Sequence, residues 1–244
     1  MSISFLERKV HIHFRRNKPP SKPENRRQQK QGVNTMNIAI VGAGNIGSGL
    51  ASVLAQTSHS ISIVDAQNGA AAAAKLKEQG LNVALSELSP AVAAADLVIL
   101  ATPFAASKAV VAEADFAGKI IVDVSNPITD DFSGLQVGFN SSAAEELAKL
   151  APAAKVVKAF NTVFAQHYAS GLKLNGEALQ TFVASDDEAA RAAVKDLAAE
   201  IGLEAKDAGP LSNARYLEPL GYLNINFGYI LGYGTQIAPK WLSE

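Results

Sequence analysis

Met36-Asn37-Ile38-Ala39-Ile40-Val41 runs straight into Gly42-Ala43-Gly44-Asn45-Ile46-Gly47. An apolar strand followed at once by G-x-G-x-x-G restricts a fold severely, because it is the phosphate-binding turn of a dinucleotide site. The first glycine permits the tight turn, the second lets the backbone approach a pyrophosphate, and the third lets the following helix pack on the strand. The helix that opens near Asn45 offers free N–H groups and the positive end of its dipole to the phosphates. A helical segment from Ile46 to Gln56 leads into a second apolar strand, Ile61-Ser62-Ile63-Val64, which ends in Asp65, 18 residues after Gly47. An acidic residue at that place is expected to take a ribose hydroxyl.

Strands and helices then alternate. Ala70 to Gln79 reads as an alanine-rich helix and Leu81 to Leu85 as a short strand, while Leu97-Val98-Ile99-Leu100-Ala101 reads as a strand buried on both faces. Further apolar runs stand at 120–122, 155–157 and 180–183, with an extended linker containing Ser170-Gly171 between the last two, and Asp186 to Ile201 has the pattern of a capped amphipathic helix. This alternation predicts an α/β protein with a doubly wound parallel sheet, a Rossmann fold, carrying a small C-terminal helical and aromatic lobe. Ligands of such sheets lie beyond the C-terminal strand ends. Three unusual clusters fall there: Thr102-Pro103-Phe104, Asp123-Val124-Ser125-Asn126-Pro127 and Phe160-Asn161-Thr162.

Charge divides the chain just before the first strand. Residues 1–35 hold nine Lys or Arg against Glu7 and Glu24, whereas the remainder holds 13 against 21 Asp or Glu. The segment from Arg15 to Asn34 is polar and proline-punctuated, and is expected to be disordered. It reads as a basic arm, a transit peptide, or the product of a start assigned upstream of Met36. The expected division is a disordered basic extension at 1–35, a dinucleotide-binding domain at 36–168, and a C-terminal subdomain at 169–244 that completes the sheet and the acceptor site. No cysteine is present, which removes thiolate chemistry and fits a reducing cytoplasm. No apolar run reaches the length of a membrane span. Neither a membrane nor a nucleic acid is expected as a partner.

Conventional catalytic machinery is scarce. His59, in the turn before the second strand, is expected at the surface, at the end of the sheet away from the ligand. His167 is expected to be packed or solvated, and Lys158 to be structural or solvent-facing. No Ser-His-Asp set or metal-ligand cluster stands out, so no catalytic side chain and no metal are assigned. Tyr216, Tyr222, Tyr229, Tyr233 and Trp241 crowd the C-terminal segment, with Gly-Tyr recurring at 221, 228 and 232. Such aromatics suit either contact with a second ring or a homodimer interface, and the latter is favoured.

The motifs Gly42 to Gly47, Asn126-Pro127, Ala159-Phe160-Asn161-Thr162 and Asp207-Ala208-Gly209-Pro210-Leu211-Ser212-Asn213-Ala214-Arg215 together resemble the NADPH:deazaflavin (coenzyme F420) oxidoreductases. Phe160-Asn161-Thr162 is also similar to the reductase domain of the membrane ferric reductases. The resemblance implies that Ala43, Gly44, Asn45 and Ile46 wrap the pyrophosphate, that Thr102 and Pro103 flank the nicotinamide ribose, and that Asn126 and Phe160 approach the nicotinamide. The full expected cofactor set is Gly42, Ala43, Gly44, Asn45, Ile46, Gly47, Asp65, Ala66, Thr102, Pro103, Ala106, Asn126, Pro127, Phe160 and Asn161. The resemblance implies NADP(H), whereas Asp65 facing a 2′-phosphate would be unfavourable and leans to NAD(H). The expected activity is hydride transfer between a nicotinamide and a small-molecule redox acceptor, a deazaflavin or flavin. Alternatives are a small hydroxyacid or imine dehydrogenase, or a dinucleotide-sensing module without catalysis.

Overall fold

Ten strands and eight helices account for the residues that the computed structural model describes, 35–65 and 67–242. The expectations for the basic extension up to residue 34, and for Ala66, lie outside that range. The elements run β1 (Asn37–Val41), α1 (Asn45–Leu54), β2 (Ser60–Val64), α2 (Gly69–Glu78), β3 (Val83–Leu85), α3 (Leu88–Ala94), β4 (Leu97–Leu100), α4 (Phe104–Glu113), β5 (Ile120–Asp123), α5 (Ala143–Leu150), β6 (Lys155–Lys158) and α6 (Gln166–Ala169). They continue with β7 (Lys173–Leu174), β8 (Glu177–Ala178), β9 (Gln180–Ala184), α7 (Glu188–Glu200), β10 (Glu204–Gly209) and α8 (Ala214–Ile225), which a π-helical turn, Asn226–Ile230, extends.

Eight strands form one sheet in the order β10-β9-β6-β5-β4-β1-β2-β3. The run β3-β2-β1-β4-β5-β6 is parallel throughout and is the strand order of a dinucleotide-binding sheet. The expected doubly wound parallel sheet is present, with one antiparallel pairing at its far edge, where β9 pairs with β6 at Lys158↔Ala184 while β10 runs parallel to β9. The connection between β6 and β9 explains the reversal. Instead of an extended linker it holds α6 and a hairpin of β7 and β8, whose turn residues Asn175 and Gly176 sit at φ 53° and 84°. Asn-Gly is the strongest short hairpin signal, because both residues tolerate positive φ.

Uninterrupted apolar runs arise because alternate residues feed two cores. Ile38, Ile40, Leu97 and Ile99 join Leu50 and Leu54 of α1 and Val194 and Leu197 of α7 on one side. Ala39, Val41, Val98 and Leu100 join Phe104, Val111 and Leu147 of α4 and α5 on the other. Helices therefore cover both faces, and the open C-terminal edge of the sheet is left for a ligand.

His59 corrects the sequence reading. It lies at the expected end of the sheet but is buried, accepting from the Met36 amide through Nδ1 at 3.1 Å and standing 3.0 Å from Glu200 through Nε2. It joins the start of β1 to the C-terminal end of α7.

Candidate functional site

The three glycines of the first turn differ in what surrounds them. Gly42 has φ +103°, and a Cβ there would lie 2.6 Å from the Ala101 carbonyl oxygen. A Cβ on Gly47 would lie 1.9 Å from the Gly42 carbonyl oxygen, so helix α1 touches the turn that starts it. Around Gly44 a Cβ meets nothing within 4 Å. Gly44 is the N-cap of α1, and its bare outer surface leaves room for an anion to reach the first-turn amides.

Asp65 is tied to this turn. Its Oδ2 accepts from the Ala43 amide at 2.8 Å, and its Oδ1 accepts from the amides of Gln67 at 2.8 Å and Asn68 at 2.6 Å. Both oxygens are thus engaged by backbone amides, and Oδ2, with a single bond, keeps a lone pair for a ribose hydroxyl. The Asn68 amide foremost, with those of Ala43 and Gln67, holds the carboxyl below the usual aspartate range. A lowered pKa means that the ionised carboxylate stabilises the native state above the ordinary aspartate value, about 3.9, and that the contribution fades as pH falls through the native value. Asp65→Asn is therefore expected to cost about 1–2 kcal/mol at pH 7, with the difference shrinking in urea titrations at pH 3. An equal loss at both pH values would show that the charge is irrelevant.

A cleft of about 480 Å³ opens beside the turn, at the C-terminal ends of β4, β5 and β6 and under α8. Ile46, Thr102, Pro103, Asn126, Phe160 and Asn161, all singled out from sequence, line it together. Ala43, Gly44 and Asn45 line a separate groove of about 640 Å³ that runs along α1 and α2. Ala106 is exposed on the first turn of α4 and Pro127 is buried, both outside the cleft lining. Sequence reasoning missed the segment Ile128 to Phe132 and the face Gly221, Asn224 and Ile225 of α8, which close the opposite wall. The Gly-Tyr repeat was a partial signal for the latter.

A mutual hydrogen bond joins the two central asparagines. Asn126 Nδ2 donates to the Asn161 carbonyl at 2.8 Å, and Asn161 Nδ2 donates to Asn126 Oδ1 at 2.9 Å and to the Leu217 carbonyl at 2.8 Å. Phe160 makes this possible from φ +62°, its amide held by Thr181 Oγ1 at 2.9 Å. A bulky residue in the left-handed region stores strain, which persists only where the surroundings enforce it. Against this fixed pair lie three buried polar atoms without a protein partner, Ser125 Oγ, Asn161 Oδ1 and Thr162 Oγ1.

Lys158 is not solvent-facing. It is fully buried behind the cleft, 2.7 Å from Asp123 and 2.9 Å from Glu218. His167 is packed, as expected, with Nε2 3.1 Å from the Ile237 carbonyl. Asp130 is the single ionisable side chain among the residues lining the cleft. None of the C-terminal tyrosines lines it: Tyr216, Tyr229 and Tyr233 are exposed, while Tyr222 donates to the Phe132 carbonyl at 2.8 Å and ties the 128–132 segment to α8.

The Asp207–Arg215 motif works from outside the cleft. Leu211 N donates to Asp186 at 3.0 Å, Asn213 Nδ2 donates to the Ala208 carbonyl at 2.6 Å, and Arg215 grips Glu145 through two bonds of 2.6 and 2.8 Å. These contacts turn the chain out of β10 and anchor α8 across the cleft.

Comparison with known proteins follows this layout. Residues 37–127 match the family profile described as NADP oxidoreductase, coenzyme F420-dependent. A candidate F420-dependent NADP reductase from Arthrobacter sp. FB24 is 31% identical with a TM-score of 0.72, over 81% of this chain and 95% of that one. A reductive aminase from Aspergillus terreus in complex with NADPH and ethyl-5-oxohexanoate is 22% identical with a TM-score of 0.59, over 82% of this chain and 64% of that one, and shares the fold. The metalloreductase STEAP3 of Rattus norvegicus is 36% identical over 104 residues, 43% of this chain. The chain spans about a fifth of the length of the curated relatives it matches, 20% and 19%. Among the described residues no helix is long and apolar enough to cross a membrane.

Proposed function

The chain belongs to the family of coenzyme F420-dependent NADP oxidoreductases, and from that premise we propose that it transfers a hydride between NADPH and a flat, flavin-like redox ring held in the cleft under α8. The observation that carries this reading is the cleft itself, which opens beside the fingerprint turn at the strand ends and is walled by the mutually bonded amides of Asn126 and Asn161. NADPH supplies the hydride from its nicotinamide ring. The N-terminus of α1 at Gly44 holds the pyrophosphate, and Thr102 and Pro103 border the nicotinamide ribose. Asn126 and Asn161, locked to each other, give the nicotinamide end a fixed wall with hydrogen-bonding capacity. Ile46, Val124, Ile128, Val163 and Ile225 exclude water from that space. Two stacked rings need close approach more than a proton shuttle, which fits a lining in which Asp130 is the single ionisable side chain.

Deazaflavin and flavin acceptors are the candidates within this class, since each takes both electrons of the hydride; a ferric chelate takes one electron at a time and is reduced only through such a ring. Mixing the purified chain with NADPH and each acceptor in turn, and following nicotinamide absorbance, tests the reading. Oxidation by ring acceptors is expected; oxidation only by carbonyl or imine substrates would overturn it in favour of a dehydrogenase, and oxidation by none in favour of a sensing module. With riboflavin the single-turnover rate is expected to change less than about threefold between pH 6.5 and 9, whereas a required acid or base would give up to about tenfold per pH unit. A bell-shaped profile across that range would sink the acid-independent mechanism.

The exposed face of the C-terminal segment supports pairing of two copies of the chain. Tyr216, Tyr229, Ile230, Leu231, Tyr233 and Trp241 are each at least 58% accessible there, and large apolar patches of this kind mark association surfaces.

A further inference from the structure

Lys158 Nζ ends in a fully buried site with three acceptors: Asp123 Oδ2 at 2.7 Å, Glu218 Oε1 at 2.9 Å, and the carbonyl oxygen of Ser125. An ammonium has three protons, so each is committed. Lys158 therefore has none to give a substrate, and the dehydrogenase role that its closeness to Asn161 in sequence suggests is closed to it. The other oxygen of Asp123 accepts from the Ser125 amide at 2.9 Å. Ser125 is thus held on both sides of its own backbone, its N–H by a carboxylate from β5 and its C=O by an ammonium from β6. Glu218 adds a third element. From α8 it receives the Lys158 bond and caps α5 through the amides of Ala143 at 2.9 Å and Ala144 at 3.3 Å.

Burying charges is a poor way to gain stability, because desolvation offsets most of the attraction, and apolar residues of like volume serve as well. Burial works against the charge on Lys158, but Asp123 and Glu218 outweigh it and raise its affinity for the proton. Burial pushes the Glu218 carboxyl up, so the ionic core of the network is Asp123 with Lys158, and Glu218 holds its place through hydrogen bonds to Lys158 and to the amides of Ala143 and Ala144. The network stands where geometry matters, because the residue after Ser125 is Asn126, and the residue on α8 that faces Asn126 is Gly221, within one turn of Glu218.

We propose that Asp123, Lys158 and Glu218 are positioning residues that set the Ser125–Asn126 turn and the height of α8 above it, and so fix where the nicotinamide end of the dinucleotide rests. The inference rests on the nucleotide reading of the cleft, and its test separates the two. Saturation-transfer NMR with NADP⁺ reports adenine and nicotinamide protons independently. In the native chain both rings are expected to be saturated. The neutral triple variant Asp123→Asn, Lys158→Met, Glu218→Gln leaves no uncompensated charge and is expected to fold, to keep the adenine signal, and to lose at least about half of the nicotinamide signal relative to adenine, since loss of a positioning contact moves a ring by about an ångström. If the triple variant does not fold, Lys158→Arg keeps both carboxylates paired while displacing the donor to Ser125, and carries the same expectation. A folded variant of either kind with the native nicotinamide-to-adenine ratio would overturn the proposal. Native protein that saturates adenine alone, or neither ring, would instead overturn the reading of the cleft.

Discussion

Gly221→Ala is expected to lower turnover about 100-fold while leaving the protein folded and the adenine end of NADPH bound, because a misplacement of about 1 Å at a reacting ring has that cost. A Cβ at Gly221 would stand 2.4 Å from Oδ1 and 2.7 Å from Nδ2 of Asn126. Asn126 has nowhere to swing without losing both bonds to Asn161. Helix α8 cannot simply lift, since Glu218 holds it to α5 and Arg215 holds it to Glu145. The methyl group therefore displaces either the asparagine amide or the helix, and both form the wall of the cleft. Stopped-flow oxidation of NADPH, beside a thermal melt and a binding titration, reads the three quantities apart. Turnover within about threefold of the native rate, with a normal melt, would mean that the reacting rings do not sit against this wall.

The second large effect concerns the fingerprint turn, where two neighbouring glycines are expected to behave oppositely. Gly47→Ala puts a Cβ 1.9 Å from the Gly42 carbonyl oxygen and 3.2 Å from the Ala101 Cβ. The first of these is backbone, and Gly42 at φ +103° has no other conformation that keeps the turn. Helix α1 must move off the sheet, at a cost of about 3 kcal/mol or more. For a chain of this size that lowers the melting temperature by roughly 6–12 °C. Gly44→Ala meets nothing within 4 Å and, as an N-cap change, costs under about 1 kcal/mol, yet it places a methyl group where the pyrophosphate must approach. NADPH affinity is expected to fall at least about tenfold with little change in the melt. If Gly44→Ala binds NADPH as the native chain does, the phosphates lie elsewhere.

Local chemistry made most of the scaffold legible. The β1–α1–β2 unit was readable because its determinants fall within about thirty residues: apolar runs long enough for one strand, glycines whose spacing matches one turn, and Asp65 at the next strand end. The cap of α7 at Asp187, which accepts from Ala190 N at 2.7 Å, was readable for the same reason. Six residues of the cleft were legible as well, since a parallel sheet brings every strand's C-terminal end to one edge. The Asn175-Gly176 hairpin was locally encoded but passed over, and with it the reversal of β9.

What remained depends on which elements meet across the fold, and no short pattern encodes that. Alternation along a strand says that Lys158 points to one face, but not that Asp123 from the next strand and Glu218 from a helix 60 residues later converge on it. A polar side chain reads as exposed until its partners are known, which misplaced His59 and left Lys158 open between a structural and a solvent-facing role. Asp65 reads as a ribose ligand from its place at a strand end, and the tertiary structure adds that both its oxygens also accept from backbone amides. The sequence by itself determined the alternation of strands and helices, the doubly wound sheet and the edge at which the candidate site opens, because these follow from burial and turn chemistry between near neighbours. Only the tertiary structure decided the wall opposite, where α8 crosses Asn126, because that contact joins residues some 95 positions apart and is settled by the packing of the whole chain.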